Sequence, residues 1–148
     1  MIAVIQRVSH AGVSVDGNTV GSVNKGLLIL LGVKNGDCER DAELLADKIA
    51  KLRIFSDENG KMNLSCIDVG GGALVISNFT LLANYKKGNR PDYMNGAKPD
   101  VANTLYEYFC HRLSASVPVS KGIFGADMKV ELLNDGPVTI VMDSEVLK

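Results

Sequence analysis

Acid–base chemistry at a protein site usually rests on histidine or on tuned carboxylates. This chain has two histidines, His10 and His111. Neither stands at a metal-ligand spacing from a cysteine, aspartate or glutamate. No nucleophile elbow, Walker loop or dinucleotide fingerprint accompanies them, and Gly70-Gly71-Gly72 lacks the strand-to-helix setting of a phosphate loop. Both histidines read as surface or helix-face positions, and neither a metal nor an organic cofactor is expected.

Four other segments hold residues that could bind or transform a substrate. SNFTL (77–81) places the hydroxyls of Ser77 and Thr80 around Phe79, at the end of an apolar run. KGIFGADM (121–128) sets a glycine on each side of Phe124, so the backbone can come close to a ligand while a ring stays free to stack. NDGPVT (134–139) looks like a hairpin turn, yet Pro137 stands where an entering strand would supply a ladder donor. KKGNRP (86–91) carries Lys86, Lys87 and Arg90 with no acid between them, beside Tyr85 and Tyr93. Each segment also has a plain structural reading: a capped strand end, a turn around a core Phe, an edge-strand turn, a solvated loop. With a net charge of −1, any polyanion must be met by a local patch, and KKGNRP is the best candidate.

The elements that must position these segments follow from periodicity. IAVIQRV (2–8), GVSVDG (12–17) and TVGSV (19–23) read as strands, with a tight turn at 16–18. LLILLGV (27–33) is apolar throughout and bounded by glycine, so it reads as a buried strand; with the preceding strands it suggests an antiparallel meander. Residues 35–55 predict a helix with Asp37 as N-cap and an apolar stripe of Ala42, Leu45, Ile49 and Leu52. DENGK (57–61) is a turn, ALVISNFTLL (73–82) a strand, and 84–99 a polar, basic loop. PDVANTLYEYFCHRLSA (99–115) predicts a second helix, with Val101, Leu105, Phe109 and Leu113 on one face. One or two further strands fall in 116–133, and VTIVM closes the chain. Two helices among roughly eight short strands, not alternating one for one, point to an α+β fold: an antiparallel, barrel-like sheet with the helices outside.

At 148 residues the chain reads as a single domain, 1–148, able to fold without staples. Cys38, Cys66 and Cys110 are odd in number and widely spaced, as expected of reduced thiols. The N-terminus does not read as a signal peptide, and no apolar run approaches a membrane span. A soluble, cytoplasmic protein is expected.

Taken together the motifs resemble one family. SNFTL resembles the SQFTL motif of D-aminoacyl-tRNA deacylases, and NDGPVT matches their NxGPVT motif. AVIQRVSHAGVSVDG, KGLLILLGV, KLRIFSDENGKMNLS, DVGGGALVISNFTL, KKGNRP and FGADMKVELLNDGPVTIVMDS resemble the family in the same order, across essentially the whole chain. The resemblance implies a two-fold homodimer that hydrolyses the ester between a D-amino acid and the terminal adenosine of tRNA, and that also accepts glycine, as on tRNA(Ala) mischarged with it. It implies a cis Gly136-Pro137 peptide that projects into the other subunit's site as a chiral filter. Ser77, Phe79 and Thr80 would carry the catalytic segment. Asn78, Phe124 and Met128 would line the nucleotide pocket, and Lys86, Lys87 and Arg90 would meet acceptor-stem phosphates. No membrane or DNA partner is implied. The chain departs from the family at Asn78, usually glutamine, and at Asn89, where a further arginine is common.

Two mechanisms fit these residues. In one, Thr80 Oγ attacks and forms an acyl-enzyme; an unactivated hydroxyl needs a base for this. In the other, the ester is positioned, backbone N–H groups near Phe79 and Thr80 stabilise the oxyanion, and the substrate 2′-OH assists a water. The scarcity of acid–base side chains favours the second. The competing classes are a non-catalytic RNA-binding dimer on the same fold and a small-ester hydrolase.

Overall fold

Strand β1 (Ile2–Val15) is twice as long as the sequence pattern suggests, and the other strands organise around it. A computed structural model describes all residues, Met1–Lys148. The two predicted strands 2–8 and 12–17 are one strand, because the exposed Ser9 and His10 interrupt the apolar alternation without ending the ladder. On one edge, β1 pairs first with β3 (Gly26–Gly32) and farther along with β2 (Asn18–Val23). The expected meander is therefore corrected: β2 and β3 both bond to β1 rather than β2 lying between the other two.

The remaining elements follow in chain order. Helix α1 (Glu39–Ala50) leads into a small hairpin of β4 (Phe55–Ser56) and β5 (Met62–Leu64). Strand β6 (Gly72–Ser77) joins the main sheet beside β3 and ends in a 3-10 turn, Phe79–Leu82. Helix α2 (Pro99–Ser114), β7 (Val119–Lys121) and the long β8 (Lys129–Asp143) complete it, before a last 3-10 turn at Ser144–Leu147. The sheet runs β2-β1-β3-β6-β7, with β8 on the free edge of β1. It curls into the expected barrel-like form, with both helices on one side. Two of its pairings, β3 with β6 and β6 with β7, are parallel.

The apolar run of β3 is explained by burial on both faces. Leu27, Ile29 and Leu31 pack with Leu45, Ile49, Tyr106 and Phe109 in the core beneath the helices. Leu28 faces the other way, with Val8, Val13, Leu74 and Ile76, inside the curl of the sheet. The predicted helix stripe is likewise buried at Ala42, Leu45 and Ile49, and at Leu105, Phe109 and Leu113. Leu52 falls beyond the end of α1, and Val101 is exposed. Cys66 and Cys110 are core thiols, pushed up by burial to about 11 and about 12, and Cys38 is exposed and free. No helix is long and apolar enough to cross a membrane.

Asp37 is not the N-cap of α1; Cys38 is. Asp37 is drawn away, accepting from the Met1 ammonium at 2.7 Å and from Lys34 N at 2.6 Å. The cap is completed by Asp41, whose carboxylate accepts from Cys38 N at 2.9 Å. The buried Asp41 also accepts from Ser144 Oγ at 2.6 Å and pairs with Lys148 Nζ at 3.0 Å. Burial alone would raise its pKa. The hydrogen bonds from Ser144, Cys38 and Lys148 outweigh burial and hold the carboxyl well below the usual range. A depressed folded-state pKa gives stabilisation that is complete above the unfolded value, about pH 4, and lost as pH falls through the folded value. Asp41→Asn is therefore expected to cost about 3 kcal/mol at neutral pH. Urea unfolding should show its gap from wild type shrinking at pH 3, whereas an equal gap at both pH values would contradict the assignment.

Candidate active site

The curl of the sheet leaves a groove of about 740 Å³ with a mainly apolar lining. Its floor is the face of β3, β6 and β8 turned away from the helices, including Leu28, Leu30, Ile76, Val130 and Leu132. One wall is the turn after β6, with Ser77, Asn78 and Phe79. The facing segment is the turn before β8, with Phe124, Ala126 and Met128. Two stretches far apart in the chain, singled out by their residue types, thus form one concave site of the size that takes a small ligand.

The SNFTL segment does not continue its strand. β6 stops at Ser77, and Asn78 N–H is tied to Leu31 O at 2.8 Å. The Asn78 side chain then folds back as a cap. Its Oδ1 accepts from Thr80 Oγ1 at 2.5 Å and from Thr80 N at 3.3 Å. This local capping is what asparagine favours over longer amides. It commits the Thr80 hydroxyl proton to an amide oxygen, which is no base. The Phe79 N–H, next to it, opens the 3-10 turn and so has no acceptor within that turn. Phe79 itself is 62% exposed, its ring 5.0 Å from that of Tyr93 in an edge-to-face pair.

Phe124 lies at the groove and against the core at once. A turn, closed by Ala126 N–H to Ile123 O at 3.2 Å, presents its ring to the groove. The ring also leans on buried Tyr106, centroids 6.2 Å apart. Met128 lies over Gly122, where a Cβ would come within 2.6 Å of the sulfur; glycine leaves the space that Met128 fills.

Ionisable groups are scarce at the groove. His10 and His111 are exposed elsewhere, and the lining offers Tyr93 and Asp127. Asp127 is 87% exposed and 3.5 Å from Lys129 Nζ. Lys86, Lys87 and Arg90 lie outside the groove, exposed and without carboxylate partners. Their loop is closed at its base by two backbone hydrogen bonds between Asn84 and Asp92, 2.8 and 3.0 Å. Tyr93 follows that closure directly, so the cationic loop and the groove share one strap.

NDGPVT is not a hairpin turn. Both its flanks belong to β8 and pair with β1, Asn134 opposite Val8 and Thr139 opposite Gln6. Residues 135–138 therefore stand out of the ladder opposite Arg7 alone, a wide interruption that needs no donor from Pro137. The Gly136–Pro137 peptide is cis, and both residues are exposed. At Gly136 a Cβ would sit 2.3 Å from Val138 N, so only glycine fits this backbone. The loop does not line the groove of its own chain. Its flank touches the groove through Gln6, which lines it and donates to Thr139 Oγ1 at 3.2 Å.

Residue reading from the sequence missed Gln6, Arg7 and the linking role of Asn134. Arg7 Nε donates to Asp135 O at 2.8 Å, and its Nη1 to Ile54 O at 2.7 Å. Asn134 Nδ2 bridges Arg7 O and Val138 O at 3.0 and 2.9 Å. The available signal was the polar pair Gln6-Arg7 inside an otherwise apolar strand.

The family model described as D-Tyr-tRNA(Tyr) deacylase matches residues 4–143. A D-aminoacyl-tRNA deacylase of Ruegeria pomeroyi is 59% identical over 97% of this chain and 99% of its own. One of Persephonella marina is 57% identical over 99% and 100%. Among solved structures, a c-Myc DNA unwinding element binding protein superposes with TM-score 0.91 at 37% identity, covering 97% of this chain and 98% of its own. A structure described as "a probable eukaryotic D-amino acid tRNA deacylase" shares the fold, TM-score 0.82, at 14% identity over 96% and 98%.

If Arg7 and Asn134 hold the 135–138 loop, Arg7→Ala should loosen it without melting the core. Amide hydrogen exchange is expected to quicken at Gly136 and Val138 while α1 and α2 keep their protection. Unchanged exchange in the loop would contradict the assignment.

Proposed function

The chain belongs to the D-Tyr-tRNA(Tyr) deacylase family, and from that premise we propose how its groove, loop and cationic patch divide the work. It is an enzyme, a D-aminoacyl-tRNA deacylase, which hydrolyses the ester joining a D-amino acid to tRNA. The observation that carries the mechanistic reading is that Ser77, Asn78 and Phe79 and the Phe124–Met128 turn line one groove containing no committed base, with Thr80 beside it tied to Asn78.

The terminal adenosine occupies the groove against Phe124 and Met128, as unpaired RNA ends are held by rings and apolar walls. The ester lies at the 77–80 turn. The Phe79 N–H faces the carbonyl oxygen as negative charge develops there, and Ser77 lines the same wall. The substrate's own 2′-OH assists the attacking water. Thr80 Oγ is not the nucleophile: its proton goes to Asn78 Oδ1, and no base stands behind it. Positioning and oxyanion stabilisation supply the rate. Asn78 supports the turn, so the shorter amide of this chain acts locally.

Chirality is read by backbone. Gly136 and Pro137 of one subunit reach the groove of its partner in a two-fold homodimer, where their carbonyls leave room for a D side chain and strike an L one. Glycine, having no side chain, passes the same filter, which extends the activity to glycyl-tRNA. Support comes from the exposure of the loop and its separation from its own groove. On the same strand Leu133 and Val141 are 53% and 69% exposed, an outward apolar face suited to a second copy. Lys86, Lys87 and Arg90 meet acceptor-stem phosphates.

Incubation with D-tyrosyl-tRNA and L-tyrosyl-tRNA is expected to release the D-amino acid and spare the L form. Binding of tRNA without hydrolysis would replace the enzyme by an RNA-binding module, and equal turnover of free small esters would replace it by a general esterase. Thr80→Ala should keep substantial turnover; near-complete loss with an intact fold would restore Thr80 as nucleophile. Replacing Lys86, Lys87 and Arg90 by Gln should weaken tRNA binding and reduce the slope of log K against log salt by about 2. An unchanged slope would remove those phosphate contacts.

A further inference from the structure

Tyr93 has no place in the mechanism above, yet its setting is that of a binding residue. It lines the groove, is 38% exposed, and its hydroxyl makes no hydrogen bond within the chain. Its ring is set edge-to-face against Phe79, a geometry that leaves ring surface open to a ligand. Tyr93 is also fixed in place. Asp92 pairs with Asn84 just before it, Gly96 N–H returns to Tyr93 O at 3.0 Å, and Ala97 N–H reaches Val33 O at 2.9 Å. A large aromatic ring held on a pinned strap at a groove mouth is a stacking surface prepared before any ligand arrives.

What lies to either side of it defines the ligand. On one side is the groove, whose lining carries no cation. On the other is the loop with Lys86, Lys87 and Arg90, unpaired and exposed. The strap that closes the cationic loop carries Tyr93 directly into the groove lining, so a polyanion held by both the cations and the groove has Tyr93 between them along the strap. Single-stranded nucleic acid matches that order of contacts: phosphates on the cations, a base on the ring, the terminal nucleoside in the pocket.

Resting on the deacylase reading, we propose that Tyr93 stacks on the unpaired nucleotide immediately before the terminal adenosine of the substrate. Tyr93 is thus a binding residue for the upstream nucleotide, and it acts on affinity for the RNA end rather than on the chemical step. Because every base has a π-face, this contact is tolerant of sequence.

The test compares two D-tyrosyl esters, one on tRNA and one on adenosine alone, with wild type, Tyr93→Phe, Tyr93→Leu and Tyr93→Ala. On tRNA, Ala and Leu are expected to raise KM by about tenfold with kcat little changed, while Phe, which keeps the ring, stays near wild type. On the adenosine ester all four should be alike. An equal loss on both esters would overturn the inference, placing Tyr93 in the adenosine pocket or in folding. Full rescue on tRNA by Leu would overturn it too, since bulk beside Phe79 would then suffice. If wild type cleaves neither ester, the deacylase reading fails and this inference fails with it; cleavage of both by wild type keeps the two questions separate.

Discussion

The ladder between β1 and β8 is the constraint on which the rest depends. β1 holds β8 along one edge and β3 and β2 in succession along the other. That arrangement curls the sheet, so that one face rests on the helices and the other encloses the groove. It also sets the loop. Because Val8 pairs with Asn134 and Gln6 with Thr139, four residues of β8 must leave the ladder within a single residue of β1. Arg7, the residue left opposite them, supplies the hydrogen bond to Asp135 O, and Asn134 closes the base of the loop. A mismatch in strand length thus becomes a projection exposed at residues 135–137, held by hydrogen bonds to the same strand whose Gln6 lines the groove.

The proposed mechanism relies on placement rather than on proton transfer through side chains. Its polar groups are either committed to shaping the turn, as Asn78 and Thr80 are, or are backbone amides such as Phe79 N–H. In the proposed reading apolar walls hold the nucleoside end, while Lys86, Lys87 and Arg90 stand outside the groove on a closed loop. Such a division suits an ester that carries its own neighbouring hydroxyl, because the protein then needs only to orient it and stabilise one developing charge. In that proposal selection by a backbone wedge follows the same logic: no side chain recognises the amino acid, so one pocket serves many D-amino acids.

Much of this was legible in the sequence where a local rule governs. The two helices follow from apolar periodicity, and LLILLGV reads as a doubly buried strand because it has no polar face. SNFTL, FGADM and KKGNRP stood out because their residue types serve packing poorly. What was not legible depends on partners distant in the chain. Nothing local reveals that β6 and β7 lie parallel to β3, or that residues 2–15 form one strand across Ser9 and His10. Asp37 was the natural cap for α1 until the Met1 ammonium and Lys34 N–H claimed it. NDGPVT carries every sign of a hairpin turn, and only its pairing with a single strand on both flanks shows that the chain does not reverse there. Arg7 and Asn134 acquire their roles from that pairing alone.

The claim most exposed to refutation is that the loop of one subunit completes the groove of the other. Subunit mixing tests it directly. A Gly136→Ala chain, in which the new Cβ must displace the Val138 backbone, is combined with an Ala126→Trp chain, whose groove is filled. The account predicts little selective turnover of D-tyrosyl-tRNA by either protein alone and recovery in the refolded mixture, where one groove meets an unaltered loop. Activity in the mixture no greater than the sum of the two alone would contradict it.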